Sequence, residues 1–262
     1  MPARIAVANQ KGGVGKTSVT LGLAAAASRR GDRALVIDLD PQANATTALG
    51  IEPDDAALTV NDVLAVSRAG SLGDVITASA WEGVDVAPST LDLSNRDLDG
   101  AHDLPFRLRE GLQGIDLERY AVVLIDCPPS VGRLLLTGLV TASHALLVTD
   151  ATADGLRGIG NVESTVELVA KHMSPGLRIA GIVLNRRRHT GEQDYREAEL
   201  REAFGTLVTD VVLPERAALP AAHAAAQPIG STANEGARVL TTLFEDLYAD
   251  VLARTATAGV AS

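Results

Sequence analysis

Cysteine is nearly absent from this 262-residue chain, with Cys127 as its single thiol. No disulfide can close within the chain, and a zinc or iron–sulfur site built from several thiolates of one subunit is excluded. A lone thiol fits a reducing compartment. Aromatic residues are also scarce, at 3%, and the 46% hydrophobic content is dominated by Ala, Val, Leu and Ile. That mixture suits buried parallel strands flanked by Ala-rich helices better than a β-sandwich. Positive charge is in deficit, with 23 Lys plus Arg against 33 Asp plus Glu, a net charge of −10. General adhesion to nucleic acid or anionic membrane is therefore not expected, although a local basic patch keeps that capacity. No apolar run reaches the roughly 18–20 residues that span a bilayer, and no charged leader precedes an apolar core. A cytoplasmic location is expected.

Short β-branched apolar runs alternate with longer segments of helical period, the pattern of βαβ units in a mostly parallel sheet. Strands are predicted at 4–8, 34–39, 84–87, 121–126, 145–149, 179–184 and 207–213, and helices at 16–30, 60–66, 104–112, 133–143, 156–172, 192–204 and 233–252. Gly31-Asp32 reads as a C-cap and turn after the first helix. Several strands end in Asp, Asn or Pro, where ligands bind in such sheets. There is no internal repeat and no linker long enough to split the chain. The expectation is one α/β domain over residues 1–254, doubly wound, with a frayed tail at 255–262.

Asn9-Gln10-Lys11-Gly12-Gly13-Val14-Gly15-Lys16-Thr17-Ser18 lies between a predicted strand and an Ala-rich helix. Glycines let the backbone wrap a phosphate with successive N–H groups turned inward, and the helix N-terminus adds the positive end of its dipole. Gly12, Gly13, Val14 and Gly15 supply the wrap, with Ser18 following in the first helical turn. Lys16 is placed to reach the β- and γ-phosphates, and the Thr17 hydroxyl to bind magnesium.

Two further segments point at the same ligand. Val36-Ile37-Asp38-Leu39-Asp40-Pro41 puts two carboxylates at a strand end, halted by proline. Alternate residues of an extended chain face one way, so Asp38 and Asp40 are both predicted to face the metal and γ-phosphate, with capping of a turn as the other role open to each. Val122-Val123-Leu124-Ile125-Asp126 is a buried strand ending in a carboxylate that would hold magnesium through water. Cys127 reads as a small buried residue without a redox role.

One departure from the general phosphate-loop pattern is informative. Gln10 stands where a glycine is usual, and Lys11 beside it is not needed to cradle phosphate. With KGGVGKTS, IDLDPQANAT, LIDCPPS and the later LNR at 184–186 in order, the chain resembles the ParA/MinD family of ATPases with a deviant Walker A loop, closest to ParA (Soj-like) partition ATPases. The resemblance spans nearly the whole chain and implies a SIMIBI-type P-loop fold, with ATP and Mg2+ as ligands. It implies that Lys11 crosses a dimer interface to the partner's nucleotide, that Asp40 positions the attacking water, and that Asp38 lies near the metal shell. It also implies that Asn185 and Pro214 border the base, with Arg216 behind them; Asn185 is equally open to a strand-end capping role.

By the same resemblance the chain is expected to be a slow ATPase whose ATP-bound sandwich dimer binds DNA nonspecifically. A ParB-like centromere-binding partner would stimulate hydrolysis and release, leaving the dimer nucleoid-associated only while ATP is bound. Such binding rests on phosphate contacts and falls with salt. The best basic cluster is Arg186, Arg187 and Arg188 with Arg196 and Arg201, with a solvated face interleaved with glutamates as the other reading open to it. Ala218 stands where chromosomal members usually carry an arginine. No helix-turn-helix domain is expected ahead of the strand that opens at Arg4. The rivals are a MinD-like membrane-positioning ATPase, opposed by Glu245, Asp246 and Asp250 in the last helix, and a small-molecule P-loop ligase, opposed by Lys11.

Overall fold

The computed structural model describes residues 1–52, 58–231 and 234–257. The elements in chain order are β1 (Ala3–Ala8), α1 (Lys16–Arg29), β2 (Ala34–Asp38), α2 (Asn44–Ala48), α3 (Val60–Ala65), β3 (Thr77–Ala78), β4 (Val84–Ala87), α4 (Leu104–Gly111) and β5 (Val122–Asp126). There follow α5 (Arg133–Thr141), β6 (His144–Thr149), α6 (Ala153–His172), β7 (Arg178–Arg187), α7 (Gly191–Phe204), β8 (Val208–Pro214), α8 (Ala218–Ala224) and α9 (Glu235–Thr257). The strands form one sheet in the order β3-β4-β2-β5-β1-β6-β7-β8. Every pairing is parallel except that of β3 with β4.

β1 occupies the interior of the sheet, and strict alternation assigns its side chains to two cores. Ala6 and Ala8 join Leu35, Ile37 and Ile125 in the core under α3 to α6. Ile5 and Val7 join Val36, Leu124 and the alanines of α1 in the core under α1, α8 and α9. Apolar cores on both faces are what a doubly wound sheet requires. On α1 the small residues have a packing reason, since a Cβ at Gly22 would lie 2.2 Å from the Phe244 ring of α9.

The α9 helix answers the membrane reading. Phe244, Leu247 and Val251 are buried in the second core, so the apolar face of this helix is already covered by protein. Among the described residues no helix is long and apolar enough to cross a membrane. The helix continues to Thr257, three residues into the tail expected to fray, while 258–262 lie outside the described residues, as does the expected start at Ala233.

Every predicted strand and helix is present, β4 with the bounds expected and the others with shifted ends. The unpredicted elements are β3, α2, α8 and three 3-10 segments at Ser71–Asp74, Leu91–Leu98 and Gly205–Leu207. α2 is five residues long, NATTA, with no intrinsic helical drive. It is stabilised from outside, because Asp38 accepts hydrogen bonds from the Thr46 amide and hydroxyl at 2.9 and 2.7 Å. α8 holds Pro220 in its first turn, where the missing N–H costs nothing.

Candidate nucleotide-binding site

The loop after β1 is tied down before any ligand is considered. Asn9 donates from Nδ2 to the Val148 carbonyl of β6 and accepts at Oδ1 from the Lys11 amide at 2.9 Å. Gly13 and Gly15 take φ of 77° and 90°, left-handed values that disfavour a side chain. At Gly15 the neighbours forbid one as well, since a Cβ there would lie 2.3 Å from Asn185 Nδ2. α1 then starts at Lys16 with its free amides at the mouth of a cavity of about 770 Å³.

Lys16, 6% exposed, and Thr17 line this cavity at the carboxyl end of the sheet. Burial lowers the Lys16 pKa, while Asp126, Cys127 and Asp40 pull it back toward the charged form. Thr17 Oγ1 donates to Asp126 Oδ2 at 2.7 Å and Thr20 Oγ1 to Asp126 Oδ1 at 3.0 Å. Asp38 and Asp126 are in register at the ends of adjacent β2 and β5. Burial, and secondarily the neighbouring carboxylates, push both of their pKa values up. A divalent cation here would relieve that repulsion, and Thr17 with Asp126 offers the hard oxygen donors it prefers, so the residues fit magnesium. Burial also raises the Cys127 thiol, leaving it inert.

Asp38 departs from the alternation argument. Both its oxygens are engaged, by the Asp40 amide at 3.0 Å and by Thr46, and it does not line the cavity. Proline at position 41 and the turn at 40–43 break the extended geometry, so only Asp40 faces inward. Asp40 is held by the Gln42 amide on Oδ1 at 3.0 Å, and its carbonyl accepts from Ser89 Oγ at 2.8 Å.

Asn185, Pro214 and Arg216 line the cavity. Asn185 also spends its Nδ2 on the Val14 carbonyl at 2.8 Å, so it braces the loop. Pro129 of the LIDCPPS segment lines the cavity too, and lining residues given no role from the sequence are Gln42, Asn44, Glu215, Ala217, Leu219 and Pro220. Gln42 and Asn44 sit inside the IDLDPQANAT segment and were signalled by it; the α8 wall had no periodic signal.

Lys11 does not line the cavity. Its Nζ pairs with Asp150 at 2.8 Å and contacts Thr152 Oγ1 at 3.1 Å, both in its own chain. The five basic-cluster arginines are all paired with carboxylates of this chain: Arg186 and Arg188 with Glu215, Arg187 with Asp194 and Glu197, Arg196 with Glu199, and Arg201 with Glu197. Arg187 is 9% exposed and therefore belongs to an internal network more than to a free basic face. Arg186 turns to the phosphate loop and lines the cavity.

The AAA domain family matches residues 3–179. The chain is 34% identical over 230 residues to the sporulation initiation inhibitor protein Soj of Bacillus subtilis, covering 86% of this chain and 89% of that protein. It is 35% identical over 255 residues to the chromosome-partitioning ATPase Soj of Thermus thermophilus, covering 95% and 96%. Among solved structures, the septum site-determining protein MinD of Pyrococcus horikoshii, complexed with Mg-ADP, superposes with a TM-score of 0.75 at 27% identity over 94% of this chain and 96% of its own. With the strand–loop–helix of β1 and α1, Asp40 at the cavity and Asp126 under the loop threonine already in place, the chain belongs to the AAA-domain family of ParA/Soj-type P-loop ATPases.

Proposed function

We propose that residues 1–254 work as one ATPase domain that binds ATP with Mg2+, dimerises face to face around it, and uses hydrolysis to end the dimer. The observation that carries this reading is the meeting of Lys16, Thr17 and Asp40 at one cavity, with Asp126 directly beneath Thr17. The family supplies the class of reaction, and the magnesium-nucleotide complex of the MinD structure supports the ligand.

The chemistry follows from the chain's own groups. Lys16 places a positive charge against the β- and γ-phosphates, and the amides at the start of α1 add preorganised donors that need no reorganisation as charge develops. Thr17 and Asp126 would hold magnesium, which on binding neutralises charge on the β- and γ-oxygens. Asp40, fixed by the Gln42 amide, orients water for attack on the γ-phosphorus and accepts its proton as the bond to the β,γ-bridging oxygen breaks and ADP leaves.

The cargo reading extends this. Lys11 leaves Asp150 and crosses to the partner's nucleotide, a ParB-like partner accelerates turnover, and the ATP dimer associates with DNA through phosphate contacts on the nucleoid in the cytoplasm. The partition names of the relatives support it. The arginines at 188, 196 and 201 remain the proposed DNA contacts, and their glutamate partners make the expected affinity weak and strongly salt-dependent. Sedimentation with ATP, ADP or no nucleotide tests the switch, with a dimer expected in ATP alone; a monomer throughout would remove the sandwich. Cosedimentation with DNA at two salt concentrations then tests the cargo.

A further inference from the structure

Asn185 and Arg186 are consecutive, yet both side chains reach the same phosphate loop. In an extended strand neighbouring side chains leave on opposite faces. Here Asn185 Nδ2 donates to the Val14 carbonyl at 2.8 Å, and Arg186 Nη1 donates to the preceding carbonyl, that of Gly13, at 2.6 Å. What makes this possible is the backbone of Arg186, whose φ of 55° is left-handed. The β7–β8 register shifts between Leu184 and Arg187, on either side of this residue. A left-handed arginine carries a conformational penalty that the surroundings must hold in place, and such residues cluster at functional sites.

The same guanidinium reaches a second wall. Arg186 Nη2 donates to Glu215 Oε1 at 2.9 Å, and Glu215 follows Pro214 at the end of the neighbouring strand β8, where it also lines the cavity. Arg188 holds the other oxygen of Glu215. These two arginines pull the Glu215 carboxyl well below the usual range, to about 2, so the acceptor stays ionised. Arg186 thus spans the glycine loop on one side and the segment leading into α8 on the other.

We propose that Arg186 is a positioning residue of the nucleotide site, clamping the phosphate loop to the Pro214–Arg216 segment, and is not part of a DNA surface. By fixing the Gly13 carbonyl outward, with Asn185 doing the same for Val14, it keeps the following amides turned toward the triphosphate. Lysine cannot replace it, since a point ammonium lacks the planar fork that bridges two acceptors. The inference rests on the nucleotide site proposed above.

Binding of a fluorescent ATP analogue to Arg186→Ala, Arg186→Lys, Arg186→Gly and Glu215→Gln tests it. Both Arg186→Ala and Arg186→Lys should weaken binding on the order of tenfold, as expected for losing a charged hydrogen bond. The double variant Arg186→Ala/Glu215→Gln should be no weaker than Arg186→Ala alone, because one bridge is broken either way. Arg186→Gly should lose affinity equally while melting at or above wild type, since glycine relieves the left-handed strain. A merely structural role would move stability and affinity down together. The clamp is overturned if Arg186→Lys binds nucleotide like wild type, or if Arg186→Ala changes only DNA association at saturating nucleotide. Lys16→Ala separates the two claims: if it too binds like wild type, the site itself is misplaced, whereas if it alone fails, only the clamp is wrong.

Discussion

Lys11 Nζ lies 2.8 Å from Asp150 Oδ2, and both residues belong to one chain. Thr152 completes the pocket, bonding Lys11 at 3.1 Å and Asp150 Oδ1 at 2.8 Å while capping α6 through the Gly155 amide. An amine that is to neutralise a neighbour's nucleotide must leave this site first, so the pair opposes dimerisation. Asp150→Asn keeps the shape and removes the charge. Its ATP-dependent dimer should be roughly fivefold tighter, the scale of a partly exposed ion pair. Sedimentation equilibrium in ATP reads the change, with Lys11→Ala as the opposite arm. An Asp150→Asn dimer no tighter than wild type would show that the pair does not compete with assembly.

Asp40 is the carboxylate that faces the cavity, while Asp38 is consumed by Thr46 and the Asp40 amide. Their substitutions should therefore behave differently. Asp40→Ala is expected to bind ATP normally, to hydrolyse about a hundredfold more slowly, and to persist as an ATP-locked dimer, since proton transfer is worth that much. Asp38→Ala should instead loosen α2, lowering the melting temperature. Phosphate release and thermal melts on both proteins separate the roles. Wild-type hydrolysis in Asp40→Ala would remove it from the reaction.

His223 on α8 gives the pH dependence a definite sign. Burial pushes its imidazole down, to about 4. The unfolded chain, with an ordinary value near 6.5, binds a proton that the folded state refuses. The contribution of a neutral His223 is thus fully present above about pH 6.5 and is lost as pH falls toward 4. At pH 5 the penalty is on the order of 2 kcal/mol, after which α8 should loosen. His223→Gln should match wild type at pH 7.5 and melt several degrees higher at pH 5. Parallel melting curves at both pH values would refute the assignment.

Much of the site was legible because its signals are local. KGGVGKT carries its geometry in glycine spacing, and Asp126 ends a run of buried β-branched residues. What the sequence did not convey is orientation that depends on distant partners. Asp38 ends its strand beside Asp126, yet its carboxylate is engaged by Thr46, eight residues on, and does not line the cavity. Three consecutive arginines looked like one basic patch, yet a left-handed φ at Arg186 and burial of Arg187 send them to different partners. α2 went unread because it is held by tertiary contacts, not by its own propensity, and α8 because Pro220 interrupts its Ala-rich run.

Trp81, the single tryptophan, makes the α8 wall observable. It is 3% exposed, and its Nε1 donates to the Ala226 carbonyl at 2.9 Å, just past the end of α8. The adjacent Ala80 amide bonds the Leu49 carbonyl at 2.9 Å at the end of α2. One turn between β3 and β4 therefore braces both the Asp40-bearing segment and the α8 wall, whose Leu219 and Pro220 line the cavity. Nucleotide that draws these walls together should change the indole's surroundings, giving a saturable change in intrinsic fluorescence on adding ATP. Trp81→Phe keeps most of the buried ring but loses the hydrogen bond. It should weaken nucleotide binding a few-fold, the worth of one neutral hydrogen bond, while leaving turnover at saturation near wild type. A Trp81→Phe protein with lowered maximal turnover and unchanged affinity would place the brace on the hydrolytic side instead.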